Sequence, residues 1–229
     1  MIITSIKILT YYSIQHLQTA EYFTKRAARL ERRTNKDFFN SNLNSLIQGY
    51  SASTLLTTVA FLEALANEIF ADAHLPDGGN LRKLSESERQ AICQIGDKQT
   101  FDKMKPLCKY NSILQAVNKN RISLGSNPGQ DMSTVIKLRN ELVHYKAELF
   151  DSGTTVRSGT FEQRKLLDKI KGRFEPIPGT NLNSSGWISA GCSEWAVKSA
   201  VAYTDRFFVE LGIDPIYEHV RPKITKKFK

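Results

Sequence analysis

Apolar residues recur at helical spacing along most of the chain. From Ile6 to about Arg33 they follow one another at intervals of three to five positions, and from Phe38 to Phe70 similar spacing continues with only Gly49 weakening it. Intervals of three and four place side chains on one face of an α-helix. The first two segments are therefore predicted to be long helices.

Turn and capping residues end the second helix and open shorter ones. The turn LPDGGN at 75–80 follows the second helical pattern, and Ser85 with Glu88 matches the S-x-x-E capping box that begins a helix. Residues 107–118 show helical spacing again. Two short helices are therefore predicted between the turn and residue 118.

Three further helices are predicted in the second half of the chain. Ser133 is a suitable N-cap for a helix that continues to about Phe150, and the basic segment 161–174 has the spacing of a short helix. The last helix is expected to begin after Ser193 and to stop at Gly212, because glycine commonly ends helices.

Alternation of the kind that strands show is scarce, and no internal repeat is present. One stretch without a helical period, PIPGTNLNSSGWISAG at 176–191, leaves room for a small hairpin. A length of 229 residues suits one large domain better than two independent ones. The sequence therefore predicts a single all-α domain over residues 1–229.

Composition excludes several classes of protein. No continuous apolar run approaches the roughly 20 residues that span a bilayer, and the N-terminus lacks a charged region ahead of a continuous apolar core. The three cysteines lack paired spacing, so they favour neither a disulfide framework nor a zinc site. No nucleotide-binding glycine pattern is present. We expect a cytoplasmic protein without a metal or other cofactor and without membrane contact.

The net charge of +9 produces a positive field that attracts polyanions. A solvated helix face or a frayed terminus explains a basic cluster as well as phosphate contact does, so both interpretations stay open. The tail at 221–229 is one cluster. The other, in the first helix, is a candidate RNA-binding surface made of Lys25, Arg26, Arg29, Arg32 and Arg33.

The segment KLRNELVHYK at 137–146 carries residues that suit catalysis. Cutting RNA without a metal requires a base near the 2′-hydroxyl, an acid for the leaving 5′-oxygen and a fixed positive charge on the phosphorane. His144 can exchange protons near neutral pH, while the guanidinium of Arg139 stays charged and can donate to phosphate oxygens. The residue types are therefore sufficient for this reaction.

The spacing of these residues predicts a second copy of the chain. Five residues at about 100° each place Arg139 and His144 roughly 140° apart around a helix, whereas Asn140 and His144 share a face. One helix therefore makes a poor site, although Asn140 can orient the imidazole or a substrate oxygen. Two copies across a two-fold axis would pool their arginines and histidines around one phosphate, which predicts a homodimer.

The surroundings of the motif resemble a HEPN domain, the "higher eukaryotes and prokaryotes nucleotide-binding" superfamily of helical bundles. A long helix with a glutamate in an apolar setting, FLEALANEIF, precedes R-N-x-x-x-H, and the alanine-rich helix AVKSAVAYTDRFFVEL follows it. The resemblance covers about 41–212. It predicts a core at 41–74, 106–150 and 193–212, insertions at 75–105 and 151–192, and an N-terminal helix at 6–33.

The resemblance implies metal-independent RNA cleavage by a toxin or phage-defence effector, with the catalytic cleft at a two-fold dimer interface. It also implies regulation by an antitoxin or another protein partner. The family's arginine and histidine are matched by Arg139 and His144, and the frequent polar residue after the arginine is matched by Asn140.

Two residues near the motif have open assignments. Glu63 borders an apolar face, where a carboxylate is usually held by a cation, so Arg139 is its candidate partner and an exposed glutamate is the alternative. Tyr145 follows the histidine directly, whereas relatives regulated by adenylylation carry R-x4-H-x-Y. Tyr145 is therefore expected either to pack in the core or to stack on a base.

Two alternatives to the nuclease hypothesis remain. The chain can be a HEPN-like module that binds RNA, nucleotide or a protein without cleaving, with the motif holding its dimer together. It can also be an unrelated bundle in which the motif is an ordinary charged helix, because short motifs also occur by chance and a fold does not fix a function.

Overall fold

The computed structural model describes residues 10–34, 41–144, 161–179 and 187–223. Within these ranges the secondary structure is helical, with no strand, so the all-α prediction is confirmed for the described part of the chain. The eight α-helices are α1 (Ser13–Thr34), α2 (Ser41–Ala73), α3 (Glu86–Cys93), α4 (Lys98–Asp102), α5 (Pro106–Ala116), α6 (Gly129–Val143), α7 (Phe161–Ile170) and α8 (Ala190–Leu211).

Capping residues set several helix ends as the sequence predicts. The Ser85–Glu88 capping box is present at the start of α3, where the Ser85 hydroxyl accepts from the Glu88 amide and the Glu88 carboxylate accepts from the Ser85 amide. Gly212 ends α8 with a φ of 81°, a left-handed conformation that glycine adopts without steric cost. Both predictions are confirmed.

Other predicted ends are wrong. α6 begins at Gly129 rather than after Ser133, because Pro128 has a φ of −85° that is compatible with a helix start. It ends at Val143 rather than near Phe150, and residues 145–150 lie outside the described ranges. The N-cap of α8 is Ser189, whose hydroxyl accepts from the Cys192 amide at 3.1 Å, so the predicted cap at Ser193 is one turn late.

Two differences concern whole segments. The short helix α4 was not predicted; Asp97 caps it by accepting from the Thr100 amide at 2.7 Å. α1 begins at Ser13 rather than at Ile6, and residues 1–9 lie outside the described part. Asp97 was therefore available in the sequence as a capping signal for α4. The helix has only five residues, which is too short to show apolar periodicity.

The long helix α2 is the centre of the bundle. α1 packs along it over much of its length, and α3, α5, α6 and α8 also contact it. Between Leu55 and Ile69 it contributes a run of side chains with almost no exposure, including Phe61 and Leu62 at 0%. Burying this much apolar surface is the main favourable term in the stability of the fold.

α2 also satisfies the length and hydropathy criteria for a membrane span over Asn42–Ala73, although most of that segment is buried inside the protein. A core helix of a soluble protein satisfies the same criteria. The serines and threonines of α2 interrupt its apolar residues, so the segment contains no unbroken apolar run.

Aromatic side chains join α8 to α5 and to the C-terminal segment. Tyr110 of α5 meets Tyr203 and Phe207 of α8 edge to face, with ring centroids 5.4 Å and 4.8 Å apart. Its hydroxyl donates to the Leu62 carbonyl of α2 at 2.7 Å, so the buried phenol is satisfied. Tyr217 continues the cluster against Phe61 at 5.5 Å.

The two predicted insertions contribute to the same core. In the first, Leu81, Ile92 and Phe101 are fully buried, and the Phe101 ring stacks on Phe70 of α2 with centroids 4.1 Å apart. In the second, Ile170 of α7 is fully buried. These segments are therefore parts of one hydrophobic core and do not form separate units within the described residues.

The start of α1 is bound to α2 through a buried carboxylate. Glu68 accepts hydrogen bonds from the Tyr12 amide at 2.6 Å, from the Ser13 amide at 2.8 Å and from the Ser13 hydroxyl. Amide groups at a helix N-terminus lack intrahelical partners, and a negative charge there is favourable. Glu68 therefore caps α1 from a neighbouring helix.

We expect Glu68→Gln to lower the free energy of unfolding by about 1–2 kcal/mol, because the amide keeps one acceptor oxygen but loses the charge that faces the start of α1. Urea denaturation measures the change. The matched control is Glu194→Gln on the exposed face of α8, where a change within about 0.5 kcal/mol is expected. Equal effects of the two substitutions would contradict the capping role.

Candidate functional site

α6 brings Arg139 to the carboxylate of Glu63 on α2. The Nη2 atom of Arg139 lies 2.9 Å from Oε1 of Glu63, so the contact expected from the sequence is present. The two side chains are 23% and 45% exposed, which places the ion pair at the edge of the core rather than inside it. The part that this contact plays in a reaction stays a prediction.

Only some of the N–H donors of the Arg139 guanidinium have hydrogen-bond partners among the described residues. Its Nε is buried without a hydrogen-bond partner, and Nη2 carries the bond to Glu63. An unpaired buried donor costs about 1–3 kcal/mol. The fold therefore holds this arginine at the edge of the core through one carboxylate, while its buried Nε stays unpaired.

Lys109 of α5 is a second cation next to the ion pair. It is 3% exposed, and its Nζ donates to Oδ1 of Asn67 at 2.7 Å and lies 5.3 Å from the centre of the Phe101 ring. Asn67 lies one turn after Glu63 on α2. Burial lowers the pKa of Lys109, while the charges of Asp102 and Glu63 partly offset that effect.

Lys109 was not predicted as a site residue from the sequence. The residue stands among apolar positions of α5, between Leu107 and Tyr110, and a lysine inside an apolar pattern is the one signal that pointed to it. Its partner cannot be deduced from the spacing within α5, because the contact joins residues 42 positions apart. The observed cluster therefore contains Glu63, Asn67, Lys109 and Arg139.

His144 and Asn140 lie at the C-terminal end of α6, and both are exposed. His144 is the C-cap residue, and its backbone amide donates to the Asn140 carbonyl at 2.9 Å. Among the described residues, the Asn140 side chain forms no hydrogen bond with the imidazole. The two residues are thus neighbours, but the orienting contact considered from their spacing is not formed. Tyr145 lies outside the described residues.

The basic residues of α1 are not part of this cluster. Lys25, Arg29, Arg32 and Arg33 are exposed and Arg26 is half-buried, on a helix whose main contacts are with α2 and α8. α6 packs chiefly on α2, α7 and α8. The structure therefore separates the candidate RNA-binding surface of α1 from the candidate catalytic residues of α6.

Two further observations concern the identity of the site. Among the described residues, no group of three or more histidine, cysteine, aspartate or glutamate side chains has an arrangement that could hold a metal ion. Comparisons with models of known families, with curated proteins and with solved structures find no significant match. A function for this protein is therefore argued from its own residues and their contacts.

The Glu63–Arg139 pair should couple energetically. In a double-mutant cycle of Glu63→Gln and Arg139→Gln, followed by urea unfolding, we expect a coupling energy of about 1 kcal/mol, because the pair is partly shielded from water. The control cycle uses Glu194 and Lys198, an i,i+4 pair within α8, for which about 0.3–0.5 kcal/mol is expected. A coupling energy near zero for the first pair would refute the contact.

Proposed function

We propose that the protein is a metal-independent endoribonuclease of HEPN type that acts as a cytoplasmic toxin or phage-defence effector. The observation that carries the proposal is the arginine of R-N-x-x-x-H held by the carboxylate of Glu63, with the histidine of the same motif exposed at the end of the helix. This combination offers a positioned positive charge and a proton-exchanging group on one helix.

The reaction divides among these groups as follows. A base removes the proton of the 2′-hydroxyl, whose oxygen attacks the adjacent phosphorus while the bond from phosphorus to the 5′-oxygen breaks. An acid protonates the leaving 5′-oxygen, and the products are a 2′,3′-cyclic phosphate and a 5′-hydroxyl. His144 supplies the base or the acid, and Arg139 stabilises the negative charge on the phosphoryl oxygens. Asn140 is assigned to binding the substrate.

One copy of the chain has a single histidine in the motif, whereas the reaction uses both a base and an acid. Two apolar side chains support a second copy at this place. Val143, next to His144, is 51% exposed, and Leu56, two turns before Glu63 on the same face of α2, is 43% exposed. A symmetric contact over these residues would cover them and bring two motifs together.

The first test is incubation of purified protein with mixed RNA in EDTA. The wild type should cleave and leave 2′,3′-cyclic phosphate ends, and His144→Ala and Arg139→Ala should each lower the cleavage rate by at least about 100-fold. His219→Ala is the matched control, because that histidine is exposed and lies outside the motif. It should cleave at the wild-type rate.

All variants are compared at equal helical signal in the absence of urea, and the urea midpoint of each is recorded, so that loss of folding is recognised. Cleavage by the wild type and by His144→Ala at equal rates would refute the catalytic assignment. The absence of cleavage by the wild type, together with binding of RNA, would favour the alternative function, a HEPN-like module that binds RNA, nucleotide or a partner protein without cutting.

A mixing experiment tests whether the site is shared between two copies. Wild type and His144→Ala are unfolded together at a ratio of 1:3, refolded as a mixture and assayed for RNA cleavage. Heterodimers then contain one intact histidine, which cannot serve as both base and acid, so activity should follow the square of the wild-type fraction, about 1/16 of that of pure wild type at the same total concentration. Wild type and His144→Ala refolded separately and then combined at the same ratio are the control. A fall to about 1/4, as one independent site in each chain would give, would contradict the composite site.

A further inference from the structure

The face of α1 that points away from the core combines aromatic, amide and cationic side chains. At 100° per residue, Tyr22, Arg26, Arg29 and Arg33 fall within about 60° of arc. Gln15 and Gln18 precede them on the same side of the helix and are exposed. This stripe, named here the α1 stripe, extends for about 27 Å from Gln15 to Arg33 at 1.5 Å per residue.

The aromatic member of the α1 stripe is exposed and held in place. Tyr22 is 50% exposed, and the guanidinium of Arg26 lies 5.1 Å from its ring centre while the Arg26 Nε donates to its hydroxyl at 3.0 Å. Phe23 meets the Tyr22 ring edge to face at 5.7 Å and packs against Tyr50 of α2. The paired tyrosine and arginine therefore form an ordered platform on the surface.

The charge along the stripe is positive. Of the two carboxylates in α1, Glu21 lies outside this arc and pairs with Lys25 at 2.6 Å, and Glu31 lies on the opposite side, where it accepts from the Ala190 amide. Among the described residues, neither Arg29 nor Arg33 pairs with a carboxylate. A polyanion therefore meets cations without a competing negative side chain in the stripe itself.

From these observations we infer that the α1 stripe binds single-stranded nucleic acid, with bases stacking on the Tyr22–Arg26 platform and phosphates contacting Arg29 and Arg33. Proteins that bind single strands combine such a cationic track with aromatic platforms, because every base has a face that can stack. The inference goes beyond cleavage and does not depend on it, since α1 is separate from the motif of α6.

An anionic membrane is the competing partner for a basic helix, and the packing of α1 argues against it. An amphipathic helix binds a bilayer by inserting its apolar face. In α1 that face, with Leu17, Ala20 and Ala27 at 0% exposure, is already buried in the protein. What remains exposed is polar and cationic, with tyrosine as its aromatic member, and this composition suits bases and phosphates.

The test measures binding by fluorescence anisotropy with a labelled 2′-O-methyl oligouridine of about 16 nucleotides, the upper end of a single-strand site. This probe has no free 2′-hydroxyl and cannot be cleaved by the proposed reaction, so binding is measured whether or not the protein is a nuclease. The binding result therefore does not depend on whether the protein cleaves RNA.

Two double variants separate a local surface from net charge. Arg29→Gln with Arg33→Gln should weaken binding at least about 10-fold at low salt. It should also reduce the slope of log affinity against log salt by about 1.4, because two arginines no longer neutralise phosphates. Lys83→Gln with Arg206→Gln removes the same charge from exposed positions elsewhere and should change affinity less than about 2-fold. Equally weakened binding in both doubles would overturn the inference.

Tyr22 is tested by Tyr22→Leu and Tyr22→Phe. The leucine variant should bind about 5-fold or more weakly, because it has no ring to stack, and the phenylalanine variant should retain most of the affinity. Full affinity in Tyr22→Leu, or equal binding of a 16-base-pair duplex that hides its bases, would overturn the stacking mode. Binding to vesicles with anionic lipid but not to the oligonucleotide, abolished in the Arg29 and Arg33 double variant, would assign the surface to membranes instead.

Discussion

A helix that buries most of its surface needs a partner for each charged or amide side chain beside that surface, and this requirement on α2 organises the bundle. In the C-terminal half of α2, the partners of these side chains come from different parts of the chain, so satisfying them also fixes the segments around α2. The pairs are Glu63 with Arg139 of α6, Asn67 with Lys109 of α5, Glu68 with Ser13 of α1, and Asp72 with Tyr11 and Asn80. The polar groups therefore specify which helix packs where, while the apolar surface supplies most of the stabilisation.

The candidate site follows from the same constraint. Glu63 of α2 needs a positively charged partner, and Arg139 supplies it. The contact fixes α6 against α2 and limits the motion of the guanidinium. Lys109 adds a second positive charge one turn away, and its buried ammonium group donates to the amide oxygen of Asn67. Two cations held against polar side chains of α2 are more than the packing of α5 and α6 needs, because apolar residues of similar volume could fill these positions. That surplus is the physical argument for a ligand that carries negative charge.

Local signals predicted the parts of the fold that depend on neighbouring residues. Helical spacing located α1, α2, α5 and α8, the capping box located α3, and the charge of Glu63 in an apolar setting correctly indicated Arg139 as its partner. The misses depend on distant contacts or on competing local signals. Nothing within α5 indicates that Lys109 meets Asn67, and the glycine and proline before α6 resemble a loop although Gly129 begins the helix. There the helix also packs too closely for a side chain, since a Cβ on Gly129 would lie 2.1 Å from the Ser123 carbonyl oxygen.

The positions of α1, α2 and α6 are relevant to whether RNA is bound and cleaved by one surface or by two. α1 and α6 both pack on α2, and their cations differ in setting: the arginines of the α1 stripe lie on the surface, whereas Arg139 lies at the edge of the core. A nuclease that relied on one site would have to obtain both affinity and transition-state stabilisation from the same few groups, although only interactions that strengthen in the transition state accelerate the reaction. A separate surface for the strand removes that conflict. It can hold RNA through phosphates and stacked bases, while the motif residues interact with a single phosphate, and α2 fixes the distance between the two.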